Sequence, residues 1–229
     1  FLQTGYCGWG FGIGWYCRLG FYYLRNSKLV CRTREAVIES SELDFRAGMA
    51  DALRFDFSTL RQSSARLRIV GNLPYNISTP LMFHLLEQRE LIQDMTFMLQ
   101  KEVVDRLCAT PNSKSYGRLS VMMQYYCECR ALFDVPPHAF NPQPKVMSAI
   151  VQLVPRDNPS LKADSDSALD KVVKTAFSQR RKTLRNTLKP LMSAEQIAEC
   201  SIDPAKRAEN LSVDDFVTLS NAFARQAQQ

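Results

Sequence analysis

A short apolar strand that runs directly into a proline-containing turn, and from there into a helix, is the feature that most limits how this chain can fold. The strand is predicted at 67–70, and Asn72 and Pro74 are turn residues. Residues 79–89 predict an amphipathic helix that begins at Ser78 or Thr79, with Pro80 in its first turn. The sequence therefore predicts one strand–turn–helix unit of an α/β sheet.

The same alternation continues downstream of this unit. Strands are predicted at 94–99, 121–129 and 149–154, and helices at 101–107, 167–177, 182–188, 193–200 and 213–226. Residues 156–160 are polar and contain proline, which indicates a linker. We therefore expect an α/β, Rossmann-like, doubly wound domain at 31–156, a small all-α domain at 157–229, and an atypical segment at 1–30.

The turn Asn72-Leu73-Pro74-Tyr75 has the groups needed to hold an exocyclic amine for methylation. The adenine N6 amine is a poor nucleophile because its lone pair is delocalised into the ring. The Asn72 side-chain carbonyl and the Pro74 backbone carbonyl can each accept one N–H bond from it, which favours a tetrahedral nitrogen with a directed lone pair. Tyr75 offers a flat face for a flipped base, a stacking contact of about 1–3 kcal/mol. A plain strand-ending turn is the alternative interpretation.

From about residue 51 to 220 the chain resembles the KsgA-type family of small-subunit ribosomal RNA adenine N6,N6-dimethyltransferases. The segments that carry the resemblance lie at 51–57, 71–81, 97–104, 116–121, 140–146 and 177–186, and include Asn-Leu-Pro-Tyr at 72–75 and Phe-Ser-Gln-Arg-Arg-Lys at 177–182. The resemblance implies a class I methyltransferase fold. It also implies an S-adenosylmethionine-dependent enzyme that dimethylates two adjacent adenines near the 3′ end of 16S rRNA during maturation of the 30S subunit.

The resemblance also implies the roles of individual residues. Asp51 would bind the adenine amino group of the cofactor, with Asn72 and Leu73 beside it, although a turn or helix-capping role is the alternative for Asp51. Phe140 would stack on the face of the target base opposite Tyr75. The residues expected to contact RNA are the cations Lys145, Arg180, Arg181, Lys182 and Arg185, for which a solvated charge run is the alternative.

Three departures from the family pattern accompany these roles. Gly48-Met49-Ala50-Asp51 replaces the usual Gly-Asp, and Met147 stands where the family has Asp. In the first twenty residues, six of the nine glycines alternate with aromatic residues and cysteine, without the acidic residues expected at a cofactor-binding glycine motif. A translated frameshift or a mis-joined fragment explains this segment best. A divergent N-terminus ranks second, and a secretion or membrane signal ranks third because the segment is short and interrupted by glycine.

Composition agrees with a nucleic-acid partner. The net charge is +6, which suits a polyanion but is also found in proteins that bind none. Seven cysteines without Cys-x-x-Cys spacing, and only two histidines, argue against a zinc site. We therefore expect a reduced cytoplasmic protein that needs no metal and no membrane. The resemblance further implies that it works as a monomer and acts on 16S rRNA in the 30S subunit or its precursor.

Three alternative functions remain at this stage. The chain would be a non-catalytic pre-30S binding or assembly factor if the missing glycine motif abolishes cofactor binding. Methylation of DNA adenine uses the same turn chemistry, but the basic C-terminal segment argues against it. An enzyme acting on 23S rRNA is disfavoured because residues 116–119 and 180–182 fit the small-subunit family better.

Overall fold

The structure is a computed structural model that describes residues 20–25, 28–31, 53–60, 66–73, 77–140, 143–157 and 161–226. Of the atypical segment at 1–30, only two strands, Gly20–Arg25 and most of Lys28–Cys31, fall within these ranges. The glycine-rich part between residues 5 and 17 lies outside the described residues, as do Asp51, Pro74 and Tyr75.

A six-stranded mixed sheet is built from strands between residues 20 and 155. Its strands are β1 (Gly20–Arg25), β2 (Lys28–Cys31), β3 (Leu67–Asn72), β4 (Ile92–Gln100), β5 (Cys127–Val135) and β6 (Ser148–Pro155), in the spatial order β2-β1-β3-β4-β6-β5. β3 and β4 are parallel, whereas β1 is antiparallel to both β2 and β3, and β6 is antiparallel to β4. The sheet therefore has a parallel pair at its centre and antiparallel strands toward its edges.

The predicted strand–turn–helix unit is present. Helix α1 (Ser78–Glu87) connects β3 to the parallel strand β4, as a crossover between parallel strands requires. Its apolar face is buried, with Leu81, Met82 and Leu85 fully covered. The helix begins at Ser78, one of the two predicted start residues, and ends two residues before the predicted end. Its N-cap, Ile77, makes no side-chain capping hydrogen bond. Packing of the apolar face, rather than a hydroxyl cap, thus stabilises its first turn.

Six further α-helices have the bounds α2 (Lys101–Leu107), α3 (Arg118–Tyr126), α4 (Asp166–Ala176), α5 (Leu184–Thr187), α6 (Ala194–Glu199) and α7 (Val213–Gln226). The prediction for α2 and α7 is confirmed at both ends, and α4 and α6 differ from it by one residue at each end. The helix predicted at 182–188 is a single turn, because residues 180–183 precede it in extended or turn conformation. None of the helices in the described part of the chain is long and apolar enough to cross a membrane.

The strand predicted at 121–129 is wrong for most of its length, because residues 118–126 form α3 and β5 begins only at Cys127. Two polar side chains four residues apart explain the helix. Ser120 hydrogen-bonds to the Arg106 carbonyl, and the Gln124 amide donates to the Leu107 and Ala109 carbonyls, each at 2.8 Å. Helical spacing places both side chains on one face, where they satisfy carbonyls at the end of α2.

The chain divides into two compact units. The first contains residues up to Val104 together with Cys129–Pro155, and the second contains Asp105–Glu128 together with Arg156–Gln229. The second unit thus includes α3 as well as the C-terminal helices. Its core is built from α4 and α7, where Leu169, Val172 and Phe216 are fully buried. The division predicted at residue 156 stays a prediction.

Candidate active site and nucleic-acid interface

The carboxyl ends of β3 and β4 form the edge of the sheet at which the predicted active-site turn begins. The two strands are parallel, and Asn72 is paired to Met98. Both strands therefore end on the same side of the sheet, which is the edge meant here. The ladder extends one residue further, through a 3.2 Å hydrogen bond from the Leu73 amide to the Met98 carbonyl. Leu73 is buried and Asn72 is half-buried. The structure therefore fixes the start of the turn, while Pro74 and Tyr75 follow outside the described residues.

Asn72 differs from its neighbours in β3. The strand buries Leu67, Ile69 and Gly71 on one side, and Asn72 belongs to the alternate, more exposed set. Its side-chain amide makes no hydrogen bond with any of the residues that the structure describes. An amide can accept through its oxygen and donate through its nitrogen, so Asn72 presents both capacities at the edge of the sheet.

The segment that carries Phe140 and Lys145 enters the sheet at the same edge. It leads into β6, whose first residue Ser148 pairs with Gln100 at the carboxyl end of β4. The Lys101 amide donates to the carbonyl of the residue before Ser148, at 2.9 Å. The topology thus brings the end of this segment and the start of the Asn72 turn to the same end of the sheet, on strands β6 and β3, which lie on either side of β4.

Phe140 ends a short 3-10 turn at Pro137–Ala139, and its amide donates to the Pro137 carbonyl at 3.1 Å. The Phe140 side chain is half-buried, whereas Lys145 is exposed. Gln100 is a half-buried amide at this edge that the sequence analysis did not single out. Its position directly after a predicted strand was the signal that would have found it.

The segment that follows Asp51 is held against α1. The Gln88 amide bridges it at two points, accepting from the Phe57 amide at 2.8 Å and donating to the Phe55 carbonyl at 3.1 Å. His84 Nε2 contacts the same Phe55 carbonyl at 2.8 Å and therefore acts as a donor, since a carbonyl only accepts. The helix that follows the Asn72 turn thus also fixes the segment that follows Asp51.

The predicted RNA-contacting cations of the second unit are all exposed, but their surroundings differ. The Arg180 guanidinium donates to the Lys114 carbonyl and, at 3.1 Å, to the Tyr116 carbonyl. Its Nε lies 3.6 Å from Glu209 Oε2. By contrast, Arg181, Lys182 and Arg185 form no ion pair with the residues that the structure describes, so their charges face solvent. The same carboxylate also pairs with Arg207, whose Nη1 lies 3.9 Å from Glu209 Oε1.

Metal-ligating residues do not cluster in the described part of the chain. No group of three histidine, cysteine, aspartate or glutamate side chains is placed to hold a metal ion there. The described cysteines, Cys108, Cys127, Cys129 and Cys200, are free thiols.

Comparison with protein families and curated proteins adds independent findings. Residues 25–225 match the model of the family described as ribosomal RNA adenine dimethylase. The chain is 56% identical over 183 residues to ribosomal RNA small subunit methyltransferase A of Pseudomonas aeruginosa, covering 80% of this chain and 68% of the relative. It is 58% identical over 172 residues to the protein of the same name from Psychromonas ingrahamii, covering 75% and 64%. The chain therefore spans about two thirds of the length of these relatives.

Solved structures show the same likeness. A dimethyladenosine transferase from Plasmodium falciparum superimposes with a TM-score of 0.69 at 26% identity, covering 80% of this chain and 74% of that one. The 23S rRNA methyltransferase ErmE superimposes with a TM-score of 0.58 at 20% identity, covering 79% and 72%, which supports the fold alone.

These findings confirm the predicted family, the Rossmann-like methyltransferase fold and the enzyme class. They name methyltransferases, and none of them favours the alternative of a non-catalytic assembly factor. Because the family model covers most of the sequence and close relatives cover three quarters of it or more, the chain belongs to the ribosomal RNA adenine dimethylase family.

Proposed function

We propose that this chain uses S-adenosylmethionine to dimethylate N6 of two adjacent adenines near the 3′ end of 16S rRNA, in the 30S subunit or its precursor. The observation that carries the proposal is the placement of Asn72, whose amide is half-buried and makes no hydrogen bond with the described residues, at the carboxyl edge of the parallel strands. Membership of the family supplies the reaction type, and the relatives' names supply the small subunit.

In this proposal Asn72 positions the nucleophile. Its side-chain oxygen accepts one N6–H bond and the Pro74 carbonyl accepts the other, so that the nitrogen becomes tetrahedral with its lone pair directed at the methyl donor. Both groups are acceptors placed where the amine gains positive charge, and they stabilise that charge most in the transition state. The amine loses its proton to solvent afterwards, and no general base is required.

The target adenine is held by stacking in the same proposal. Tyr75 and Phe140 take opposite faces of the flipped base. The half-buried Phe140 supports this role, because the segment that carries it leads into β6 at the edge where the Asn72 turn begins. Aromatic stacking contributes about 1–3 kcal/mol per base and tolerates rotation of the monomethylated amine between rounds.

The cofactor fits the chemistry of the end of β3, where the buried apolar Leu73 adjoins the polar Asn72. We propose that these two residues and Asp51 hold it, with Asp51 accepting from its adenine amino group. When bound, S-adenosylmethionine supplies an activated methyl group on a sulfonium sulfur. The His84 and Gln88 contacts support this assignment, because they fix residues 55–57 only a few positions after Asp51.

RNA docking is proposed for the exposed cations of the second unit. Arg181, Lys182 and Arg185 lack ion-pair partners among the described residues, which suits contacts with backbone phosphates. Lys145, exposed before β6, would add a phosphate contact beside the target base. Specificity would then come from the folded subunit rather than from base sequence. We place the reaction in the cytoplasm and propose a monomer as the active form.

The test is to incubate the chain with labelled S-adenosylmethionine and unmethylated 30S subunits and to count methyl groups per 16S rRNA. The proposal requires incorporation to approach two methyl groups on each of two adenines. Asn72→Ala should lower kcat about 10²–10³-fold, the effect of removing one transition-state hydrogen-bond partner. Gln93→Ala is the matched control, because this exposed amide lies near the opposite end of β4.

Three other outcomes would overturn the proposal. Subunits that bind but receive no methyl groups would identify an assembly factor. Transfer to DNA in place of 30S subunits would identify a DNA methyltransferase. An Asn72→Ala variant with the activity of the wild type would show that another group holds the amine.

A further inference from the structure

Arg180 joins three segments of the second unit that are distant in sequence. Its Nη2 donates to two carbonyls of the turn at 114–116, and its Nε lies 3.6 Å from the Glu209 carboxylate. Glu209 also accepts, at its backbone carbonyl, a 2.8 Å hydrogen bond from the Asn112 amide. The Asn210 side-chain amide also donates a 2.8 Å hydrogen bond to the Asn112 side-chain oxygen. Arg180 therefore lies at the junction of the segments near residues 112–116, 180 and 209.

The basic segment itself is attached to the same junction. The Leu184 amide donates to the Lys206 carbonyl at 2.8 Å, and the Arg185 amide donates to the Pro204 carbonyl at 3.1 Å. Thr183 forms an isolated antiparallel bridge with the residue after Lys206. The backbone that presents the exposed cations is thus held by residues 204–207, which lead directly into Glu209.

The geometry of the guanidinium argues against a phosphate contact by Arg180. Arginine binds a phosphate best in a bidentate arrangement, which uses either Nε with Nη2 or Nη1 with Nη2. Both arrangements need Nη2, which already donates to the Lys114 and Tyr116 carbonyls. The nearby Glu209 carboxylate also offsets the charge of Arg180. Arg181 and Lys182, which follow directly, have no such partners among the described residues.

We propose that Arg180 is a positioning residue of the RNA-docking surface: it fixes the segment that presents Arg181, Lys182 and Arg185 and makes no phosphate contact of its own. This inference rests on the proposed function, since that function assigns the three neighbouring cations to RNA. Of the four cations in this segment, Arg180 then has a structural role, and the other three bind RNA.

The experiment measures the affinity of the full chain for 30S subunits as a function of salt concentration. The slope of log K against log salt concentration is negative, and each lost phosphate contact reduces its magnitude by roughly 0.7–0.9. We expect Arg180→Gln and Arg180→Lys to weaken binding while keeping the wild-type slope, because the number of phosphate contacts is unchanged. Arg181→Gln is the matched control. It should reduce the magnitude of the slope by the amount expected for the loss of one phosphate contact.

A second measurement, amide hydrogen exchange without RNA, reports the positioning role directly. In both Arg180 variants the Asn112 and Leu184 amides should exchange faster than in the wild type, and Tm should fall. Arg180→Lys keeps the charge but cannot reach three acceptors at once, so it should behave as Arg180→Gln does. In Arg181→Gln both amides should exchange at the wild-type rate.

Two results would overturn the inference while leaving the proposed function in place. If Arg180→Gln reduces the magnitude of the salt slope by the amount expected for one phosphate contact, Arg180 binds RNA itself. Wild-type exchange rates in that variant would show that Arg180 does not hold the junction. If the wild-type chain shows no salt-dependent binding to 30S subunits, the proposed function fails as well, and the inference fails with it.

Discussion

The Tyr116 hydroxyl offers a sharp test of the packing of the second unit. Tyr116 is fully buried, and its hydroxyl has no hydrogen-bond partner among the described residues. Its ring packs edge-on against Phe177, with ring centroids 6.2 Å apart. Tyr116→Phe keeps the ring contact and removes only the unsatisfied oxygen. The substitution should therefore stabilise the protein.

The size of the effect follows from the cost of the buried hydroxyl. An unsatisfied buried polar group costs about 1–3 kcal/mol, and the small void left by the oxygen offsets part of the gain. We expect the free energy of unfolding to rise by about 1 kcal/mol, which corresponds to about 2–4 °C in Tm for a chain of this size. Tyr125→Phe is the matched control, because the Tyr125 hydroxyl accepts a 2.9 Å hydrogen bond from the Ala163 amide. Removing that acceptor should destabilise by about 1–3 kcal/mol.

Burial and the nearby Asp215 carboxylate raise the pKa of Tyr116 well above its ordinary value of 10.0. Above pH 10 the unfolded chain loses this phenol proton first, so it binds fewer protons than the folded chain and stability falls as pH rises. The slope for one such group is at most about 1.4 kcal/mol per pH unit. The advantage of Tyr116→Phe over the wild type should therefore grow above pH 10 and stay constant below it.

Urea unfolding at pH 8 and between pH 10 and 11 measures both effects, with the m value as a check that the unfolded state is unchanged. A Tyr116→Phe variant that is less stable than the wild type by about 1 kcal/mol would refute the reasoning, because it would show that the hydroxyl has a partner.

Two further predictions concern the stability of the separate units. Asp94→Asn should lower the free energy of unfolding by about 1–2 kcal/mol, because the buried carboxylate accepts from both Nε and Nη2 of Arg68 at 2.8 Å across β3 and β4. Thermal unfolding measures the effect, with Glu90→Gln at an exposed position as the control. The same Tm for both variants would contradict the prediction. Ser193→Ala should cost about 1 kcal/mol, because the Ser193 and Gln196 side chains each accept a backbone N–H of the other at the start of α6. A Ser193→Asp variant as stable as the wild type would support the cap, and an unchanged Ser193→Ala variant would refute it.

Local signals in the sequence were sufficient for several elements. Both ends of α7 were predicted, because its apolar side chains recur with helical spacing. Among them, Phe216, Val217 and Leu219 are buried. The capping box of α6 is likewise a local feature, since Ser193 and Gln196 are only three residues apart. The β3–α1–β4 unit followed from an apolar strand, a turn and a proline compatible with a first helical turn.

The failure at α3 has an equally specific cause. Its segment contains valine, methionine and two tyrosines, which favour a strand when taken alone. Ser120 and Gln124 hydrogen-bond to carbonyls at the end of α2 and its following turn, contacts that exist only once α2 lies beside them. Tertiary contacts thus outweighed local propensity.

The sequence by itself determined the family, the strand that leads into the Asn72 turn and the basic segment at 180–185, because short-range patterns specify each of them. Only the tertiary structure decided that the Asn72 turn and the segment before β6 share one edge of the sheet, because strand order is set by pairing between distant residues. It also distinguished Arg180 from Arg181, since the carbonyls and the carboxylate that occupy Arg180 come from residues far away in the chain. Identical side chains one position apart therefore have different surroundings, through the partners that the fold brings to one of them.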